Sequence, residues 1–487
     1  MKIVSISKII FIFVLVLGSI LRLYGLENQS LWFDEIYSWK SGSYNTLSEV
    51  IKNAKGDVHP PGYHIFMYAL EKLFGETEFV LRFPAAIFGI FSIVALFILG
   101  LQLYSSREAL IASSFMAFFS FPIYYSQEAR HYTILLFFSI IASSFLLSLL
   151  KKIINEKKLS VFHSSGYIGS AIILSYIDYY GVYLVGLQGV ASILTLRDIK
   201  KLRIVILMYF LVFVFFLPWL PTMLKKYMYG VDPHLVRPQG FFICFYKWLE
   251  EVCGDTKAIC LVLIFFINAM AIKRIYDAYS KKSWHRIKLS FLHADVLLAA
   301  WIIIPFTGAY IQSVLSTPVL QHRNLMISLP AIYLFVARSI VFVLKKPMYY
   351  SATSGLLAIA SIYNIFFVQN YYSKPHKEQT REAVNFILEK SFQFEAAPIV
   401  VLHYNLRYFD CLDYYFKRNG SNLRSFRYQA FDENNIRNIL TQNKFNYLWV
   451  VLPRFNFTPE ELNRWSNFKE IIFYKIFWGM HVLLLKF

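Results

Sequence analysis

Residues 82–103 read RFPAAIFGIFSIVALFILGLQL, an apolar run in which Arg82 is the only charged side chain. A transmembrane helix requires about 20 consecutive apolar residues, so this run predicts a membrane-spanning helix. With other runs of this kind there are eleven predicted spans, near residues 8–24, 82–103, 108–125, 132–150, 161–177, 181–196, 203–221, 257–272, 292–315, 324–344 and 349–370. The sequence therefore predicts a polytopic α-helical membrane protein.

The composition of the 487-residue chain agrees with this class. Hydrophobic residues make up 57% of the chain and charged residues 16%, which is more apolar surface than a soluble fold of this length can bury. The net charge is +19, but the basic residues cluster in short loops between apolar runs rather than on one soluble face. The charge therefore indicates membrane topology, and no nucleic-acid partner is predicted.

The distribution of basic residues also predicts an orientation, because cytoplasmic loops of membrane proteins are enriched in Lys and Arg. With a cytoplasmic N-terminus, the inside loops contain the basic clusters at 151–158, 197–203, 273–288 and 345–346. The outside loops before residue 370 hold fewer basic residues and more acidic ones. We therefore expect a multi-pass protein of the cell (inner or plasma) membrane, with the first outer loop and the C-terminal region outside.

Two domains are predicted. Residues 1–370 form the transmembrane domain, in which the first outer loop, 25–81, carries juxtamembrane helices. Residues 371–487 alternate strand-like and helical runs, which predicts a small extracytoplasmic α/β domain. Cys244 and Cys253 share one outer loop and either form a disulfide or remain buried thiols.

Polar motifs concentrate in the outer loops. Asp34 and Glu35 follow the first span, and two adjacent carboxylates beside a membrane are costly unless they bind a cation or handle protons. The alternative is a solvated acid pair at the start of a helix. The other motifs are Asp57-Val-His-Pro-Pro-Gly-Tyr-His64, Leu81-Arg-Phe-Pro-Ala-Ala86, Gln127-Glu-Ala-Arg-His-Tyr132, His322-Arg-Asn324 and Lys377-Glu-Gln-Thr-Arg-Glu-Ala-Val384.

In this order and topology, these motifs resemble the GT-C class of polyprenyl-phosphate-dependent glycosyltransferases. The nearest branch is glycosyltransferase family 39 in its broad sense, the protein O-mannosyltransferase-like branch that includes lipid A aminoarabinose transferases. The architecture of the whole chain fits, and the motif similarity is concentrated in residues 31–132. The resemblance implies a membrane enzyme that transfers a sugar, with inversion, from a polyprenyl phosphate to a lipid, glycan or protein acceptor at the extracytoplasmic face.

Such a transfer needs a base for the acceptor hydroxyl, positive charge beside the departing phosphate, and aromatic surface for sugar and lipid. Asp34 matches the acidic residue at the reaction centre of the class and is the predicted general base, or alternatively a ligand of a divalent ion. Glu35 is predicted to orient it, since neighbouring side chains on a helix point about 100° apart. Glu128 matches the second outer-loop acid of the class.

The resemblance gives no firm prediction of a cofactor. Gln127-Glu-Ala-Arg130 replaces an acid-x-acid pair, which argues against metal dependence. If a divalent cation is bound, the predicted ligands are Asp34, His59 and Glu128.

The donor phosphate is predicted to bind Arg130, Arg323, His59 and Arg82, because a guanidinium group matches phosphate oxygens bidentately. A snorkelling arginine that anchors a helix end is the alternative, and it is favoured for Arg82. Contacts with the substrate or acceptor are predicted for His64, Tyr63, Asp232, His234 and His322. A plain Asp-Pro turn explains Asp232 and His234 equally well.

Two other functions fit a basic, aromatic, polytopic chain. A flippase or transporter of lipid-linked sugars would place ionisable residues within its spans near the bilayer midplane. An O-antigen polymerase or ligase would have its large outer loop late in the chain, whereas here the large acidic loop comes first. The predicted partners of the enzyme are the polyprenyl-phosphate sugar, its acceptor and the surrounding membrane lipids.

Overall fold

The computed structural model describes residues 2–156, 160–196, 198–229, 237–254, 256–280, 294–316, 318–391, 394, 399–402, 409–421, 425–428, 436–437, 441, 446–453 and 459–486. Helices form most of the chain up to residue 370. They are α1 (Lys2–Leu23), α2 (Phe33–Gly42), α3 (Leu47–Ala54), α4 (Gly62–Phe74), α5 (Glu78–Leu103), α6 (Ser106–Phe118), α7 (Ser120–Ser126), α8 (Tyr132–Ile154), α9 (Val161–Ile177), α10 (Tyr179–Thr195), α11 (Ile199–Phe216), α12 (Leu220–Tyr229), α13 (Phe241–Val252), α14 (Lys257–Ser280), α15 (Ala294–Leu315), a 3-10 helix (His322–Ser328), α16 (Leu329–Leu344), α17 (Pro347–Tyr363) and a π-helix (Asn364–Val368).

The structure confirms a multi-pass helical membrane protein but gives fewer spans than the eleven predicted. Among the described residues, six helical segments are long and apolar enough to cross a membrane, or eight if two bent helix pairs each count as one span. Helices α9 and α10 have only 17 residues each, which is shorter than a typical span of about 20. Short helices therefore account for part of the difference between the two counts.

Prolines lie at both bends. Helices α6 and α7 meet at 57°, and α11 and α12 meet at 74°. Pro122 lies in the first turn of α7, and Pro218 follows the end of α11. A proline ring clashes with the carbonyl four residues earlier, which favours a bend at both positions. Pro84 and Pro305 lie inside α5 and α15, which are unbroken, so a proline in the sequence does not by itself predict a break.

Arg22 supports the first bend from within the transmembrane unit. Its guanidinium group is fully buried and donates hydrogen bonds to the carbonyl oxygens of Gly18 (2.9 Å), Ala117 (3.0 Å) and Met116 (2.6 Å). The last carbonyls of a helix have no partner within that helix, and a guanidinium group has five N–H donors to offer them. Arg22 therefore holds the end of α6 against α1.

Gln127, which follows α7, also makes contacts with α1. Its side-chain amide donates to the carbonyl oxygens of Leu21 (3.1 Å), Arg22 (3.2 Å) and Tyr24 (2.7 Å), which lie at the end of α1. The turn 127–131, which carries Glu128 and Arg130, is thereby fixed to the first transmembrane helix.

The cysteines do not form the disulfide considered from the sequence. Cys244 and Cys253 are free, buried thiols, as are Cys260 and Cys411. The Cys244 thiol contacts the carbonyl oxygen of Gln239 at 3.6 Å, whereas the Cys253 thiol shares a hydrogen bond with Cys260.

The chain forms two compact units whose boundaries differ from a simple division at residue 370. The first unit comprises residues 1–24, 44–70 and 82–370, and the second comprises 25–43, 71–81 and 371–487. Two parts of the first outer loop therefore fold with the C-terminal region. A division into separate functional domains remains a prediction.

The C-terminal region contains the predicted α/β arrangement. Its elements are α18 (Thr380–Ser391), β1 (Ile399–Leu402), α19 (Phe409–Arg418), β2 (Ser425–Tyr428), β3 (Tyr447–Pro453), α20 (Pro459–Phe468), β4 (Glu470–Phe477) and β5 (Met480–Lys486). The strands form one sheet in the order β2-β1-β3-β5-β4. Strands β2, β1 and β3 are parallel, and β5 and β4 are antiparallel to their neighbours.

Strand β3 lies at the centre of this sheet and is buried on both faces. Leu448, Val450 and Leu452 belong to a hydrophobic core with Trp465, while Trp449 on the other face contacts Phe386 of α18. Burial on both faces explains why the sequence of β3 is continuously apolar rather than alternating.

Candidate active site

The acid pair lies at the start of α2, in the second unit. The Glu35 side chain is fully buried, and its Oε2 accepts the backbone N–H of Trp32 at 3.3 Å. Its Oε1 pairs with Nζ of Lys377, which is also buried, at 3.0 Å. Glu35 therefore caps the N-terminus of α2, and its ion pair with Lys377 connects this helix to the C-terminal region.

Asp34 directly precedes Glu35 in the first turn of α2, and its side chain is half-buried. The preceding residue, Phe33, donates its backbone N–H to Oε2 of Glu378 at 3.4 Å. Burial raises the pKa of the nearby Cys411 thiol, and the charges of Glu378, Asp410 and Asp34 raise it further. Asp34 is the more accessible of the two adjacent acids and lies in an acidic environment.

A second ion-pair network holds the start of the outer loop within this unit. Glu78 is buried and pairs with Arg381 at 3.3 Å and with Arg418. Arg381 also donates to the carbonyl oxygens of Glu27 and Asn28, both at 2.9 Å. The sequence identifies the segment 377–384 only as a motif, without partners. The structure shows that Lys377 and Arg381 are partners of the acidic loop.

Glu71 supplies a pH-dependent contribution to stability. Burial raises its pKa to about 8, a hydrogen bond from Ser43 (2.9 Å) opposes the rise, and the charge of Glu76 adds to it. The folded state thus keeps a proton that the unfolded chain loses near pH 4.5, so stability should fall as the pH rises from about 4.5 to about 8. We expect the melting temperature of Glu71→Gln, measured in detergent, to fall less steeply between pH 4.5 and pH 8 than that of the wild type. An equal fall in the melting temperatures of the variant and the wild type would contradict the raised pKa of Glu71.

In the first unit, two predicted phosphate ligands converge on one ring. The guanidinium carbon of Arg130 lies 5.7 Å from the ring centroid of Tyr132, and that of Arg323 lies 5.9 Å from the same centroid. Tyr132 begins α8, and Arg323 lies in the 3-10 helix before α16. Each guanidinium group offers N–H donors in a geometry that matches phosphate oxygens.

Three other predicted residues of the first unit can be described. Glu128 is fully buried two positions before Arg130, and Nδ1 of His322 lies 2.7 Å from Oε1 of Glu251. Arg82 is buried in the second turn of α5. Asp232 and His234 lie outside the described residues.

His59 belongs to a buried cluster that was not predicted in full. Oδ2 of Asp178 lies 2.8 Å from Nε2 of His131 and 3.2 Å from Nδ1 of His59. Oδ1 of Asp178 accepts the backbone N–H of Tyr180 at 2.8 Å and so caps α10. The sequence signals were an Asp before a helix and the His in Gln127-Glu-Ala-Arg-His-Tyr132, and neither suggested a shared site.

The buried environment determines the charges in this cluster. Burial lowers the pKa of His131 to about 3, although its hydrogen bond to Asp178 opposes the shift. Burial alone would raise the pKa of Asp178, but hydrogen bonds from His131 and His59 hold it well below its usual range. The cluster therefore contains a carboxylate and a neutral His131 at neutral pH.

Glycines allow the loop of His59 to approach the end of α9. A Cβ atom on Gly62 would lie 2.4 Å from the carbonyl oxygen of Tyr176, and one on Gly181 would lie 2.2 Å from that of Leu174. Both distances are too short for any side chain without backbone movement. These two positions bring the outer loop and the start of α10 together around Asp178.

Two residues of the same loop that were predicted to meet substrate or acceptor are buried. Nε2 of His64 lies 2.9 Å from Oδ2 of Asp57, and the Tyr63 ring packs edge-on against His131 with centroids 5.6 Å apart. Burial raises the pKa of Asp57, but the interactions with His64 and His59 and the N–H of Val58 together outweigh burial and hold that pKa below its usual range. In the structure, both residues support the cluster.

The structure changes the candidate metal site. Among the described residues, His59, His131 and Asp178 form one group whose potential ligand atoms all lie within 4.8 Å of one another. The predicted set was Asp34, His59 and Glu128, and only His59 is common to both. Asp34 belongs to the second unit, and Glu128 is not part of the group.

Comparison with known proteins agrees with the predicted class. Residues 58–221 match the family model described as dolichyl-phosphate-mannose-protein mannosyltransferase. No protein with a curated functional description matches the sequence significantly.

Solved structures resemble the fold over nearly its whole length. One is ArnT from Cupriavidus metallidurans bound to undecaprenyl phosphate, with a TM-score of 0.55, 12% identity and 97% of each chain covered. Another is the oligosaccharyltransferase AglB from Archaeoglobus fulgidus with an inhibitory peptide and dolichol-phosphate, with a TM-score of 0.54 and 12% identity, covering 92% of this chain and 69% of that chain. The fold of this membrane protein therefore resembles that of ArnT and AglB, and part of its sequence matches the mannosyltransferase family model.

Proposed function

We propose that the protein transfers a sugar, with inversion, from a polyprenyl-phosphate carrier to an acceptor at the extracytoplasmic face. The observation that carries this proposal is the convergence of Arg130 and Arg323 on the ring of Tyr132. Two guanidinium groups beside an aromatic ring suit a phosphate attached to a sugar or lipid. The related structures of ArnT and AglB contain undecaprenyl phosphate and dolichol-phosphate, which supports this donor class.

In the proposed reaction, an acceptor hydroxyl attacks the anomeric carbon while Asp34 removes its proton. The new carbon–oxygen bond forms on the face opposite to the phosphate, and the bond from the anomeric carbon to the phosphate oxygen breaks. Arg130 and Arg323, with His59, stabilise the departing phosphate. Since the leaving group is already anionic, no general acid is needed. Glu35 positions Asp34 through its own ion pair with Lys377.

A divalent cation is the one candidate cofactor in this proposal. We replace the ligand set expected from the sequence with His59, His131 and Asp178, because these side chains already converge.

The positions of buried charges favour an enzyme over a flippase. Glu108 pairs with Arg338 at 2.9 Å, and Asp295 pairs with Arg274. Glu108 and Asp295 lie in the first turns of α6 and α15, whereas Arg338 and Arg274 lie in the last two turns of α16 and α14. A carrier would require ionisable groups near the bilayer midplane, and these pairs lie towards helix ends.

We infer that the N-terminus is cytoplasmic and that the first outer loop and the C-terminal region are extracytoplasmic. Glu49 and Lys346 are exposed and are predicted to lie on opposite sides of the membrane. A membrane-impermeant thiol reagent should label Glu49→Cys in intact cells and Lys346→Cys only after permeabilisation. The four native cysteines are buried, which limits background labelling. The reverse pattern would contradict the orientation.

The proposed function can be tested by mass spectrometry of glycans and lipid-linked sugars from cells with and without the gene. We expect one sugar to be missing from an acceptor and its polyprenyl-phosphate form to accumulate. The identity of the missing sugar would define the donor, and the altered molecule would define the acceptor. Unchanged glycans, or a transport defect without loss of transfer by the purified protein, would contradict the proposal.

A further inference from the structure

We propose that His59, His131 and Asp178 bind a zinc ion. The cluster offers two imidazoles and one carboxylate, with ligand atoms within 4.8 Å of one another. Zinc binds such ligands at about 2.0–2.2 Å in a tetrahedral arrangement, which places two ligand atoms on one ion about 3.3–3.6 Å apart. Oδ2 of Asp178 already lies 2.8 Å from Nε2 of His131 and 3.2 Å from Nδ1 of His59, and the most distant pair in the group must approach by up to about 1 Å.

The ligands are held in place by their surroundings. The side chains of His131 and Asp178 are only 1% and 3% exposed. Asp178 is oriented by the N–H of Tyr180, and the His131 ring is packed against Tyr63. Metal sites depend on such supporting contacts because they orient the ligands before the ion arrives. Little ordering of the chain would therefore accompany binding.

The donor set favours zinc over magnesium or calcium. Mg²⁺ and Ca²⁺ prefer sites made almost wholly of oxygen ligands, whereas imidazole nitrogen suits zinc. Two histidines with one carboxylate are a common zinc set, in which the fourth position is open. The side chain of His59 is 16% exposed and is the accessible edge of the cluster. The open position therefore faces the side of His59.

The proposed ion would join three segments of the first unit. His59 precedes the rigid Pro60-Pro61 turn, His131 immediately precedes α8, and Asp178 connects α9 with α10. Arg130 is the chain neighbour of His131, so the ion would also fix the turn that carries a proposed phosphate ligand. A phosphate oxygen of the donor is the expected fourth ligand, and this last step rests on the proposed function.

Zinc uptake by the purified full-length protein tests the site. After treatment with a chelator, the wild-type protein should bind one zinc ion, and zinc should raise its melting temperature. His131→Gln keeps a hydrogen-bond donor to Asp178 but removes a good zinc ligand, and we expect at least a tenfold loss of affinity. Asp178→Asn should have a similar effect. His163→Gln, which alters a histidine outside the cluster, should bind zinc as the wild type does.

The zinc measurement is independent of the proposed function because it contains no sugar donor. Absence of uptake by the wild type, or equal uptake by His131→Gln, would overturn the site even if the protein transfers sugar. Zinc uptake without sugar transfer would instead leave the site standing and overturn the function. To test phosphate as the fourth ligand, the purified protein is loaded with cobalt in place of zinc, and inorganic phosphate is added. A change in the cobalt spectrum is expected, and an unchanged spectrum would exclude phosphate from the ion.

Discussion

Asp34→Asn is expected to lower sugar transfer by about 10³-fold, because general base catalysis typically contributes 10²–10⁴-fold. The amide keeps the size of the side chain but cannot accept the proton of the acceptor hydroxyl. Asp34 is half-buried at the start of α2, and the adjacent Glu35 is already engaged with Lys377 and the Trp32 N–H. Transfer rates of the reconstituted enzyme at saturating donor measure the effect.

Two companion variants separate catalysis from folding. Glu389→Gln makes the same chemical change at an exposed position of the second unit and should leave transfer unchanged. Glu35→Gln leaves the buried Lys377 without its carboxylate, so its main expected effect is a lower melting temperature. Asp34→Asn should melt near the wild-type temperature. Full transfer by Asp34→Asn would remove the assigned role of this residue.

Arg130→Ala and Arg323→Ala are each expected to lower transfer by about 10²-fold, the usual effect of removing one group that stabilises a developing anion. If both arginines contact the same phosphate, the double variant should lose less than the product of the two single effects. Arg130→Lys should recover only part of the activity, because an ammonium group cannot bind phosphate bidentately. Steady-state kinetics with varied donor measure these effects.

Arg107→Ala is the matched control for the two arginine variants. Arg107 is exposed at the start of α6, and its guanidinium carbon lies 5.9 Å from the ring centroid of Tyr350, which closely matches the contacts at Tyr132. Removing it also deletes a cation beside a tyrosine, but away from the turn 127–131. A similar loss of transfer in Arg107→Ala would show that the effect is not specific to the proposed phosphate site.

Hydrophobic runs predicted the class and much of the fold, because burial in lipid or in a sheet requires continuous apolar residues. Residues 82–103 lie within a single long helix, and the run 447–452 became the central strand of the C-terminal sheet. Six to eight helical segments among the described residues reach the length and hydropathy of a full span, and shorter helices such as α9 and α10 fall below that length. Pro122 and Pro218 lie at the bends, but Pro84 and Pro305 lie inside unbroken helices, so the prolines alone do not locate the bends.

The candidate sites were predicted less completely. Guanidinium chemistry and predicted topology singled out Arg130 and Arg323, and the structure brings both to Tyr132. The partners Lys377 of Glu35 and Asp178 of His59 were missed, since pairing across hundreds of residues leaves no local periodicity in the sequence. A buried ion pair and a shared carboxylate depend on tertiary packing, which one sequence does not reveal.

The most direct test of the central claim is cleavage of a labelled polyprenyl-phosphate sugar by the wild-type protein in lipid vesicles. The acceptor is an envelope extract from cells that lack the gene. We expect free polyprenyl phosphate to appear in step with sugar on the acceptor, and the configuration at the anomeric carbon to be inverted. A labelled donor that crosses the bilayer uncleaved, or a product with retained configuration, would rule out the proposed transfer.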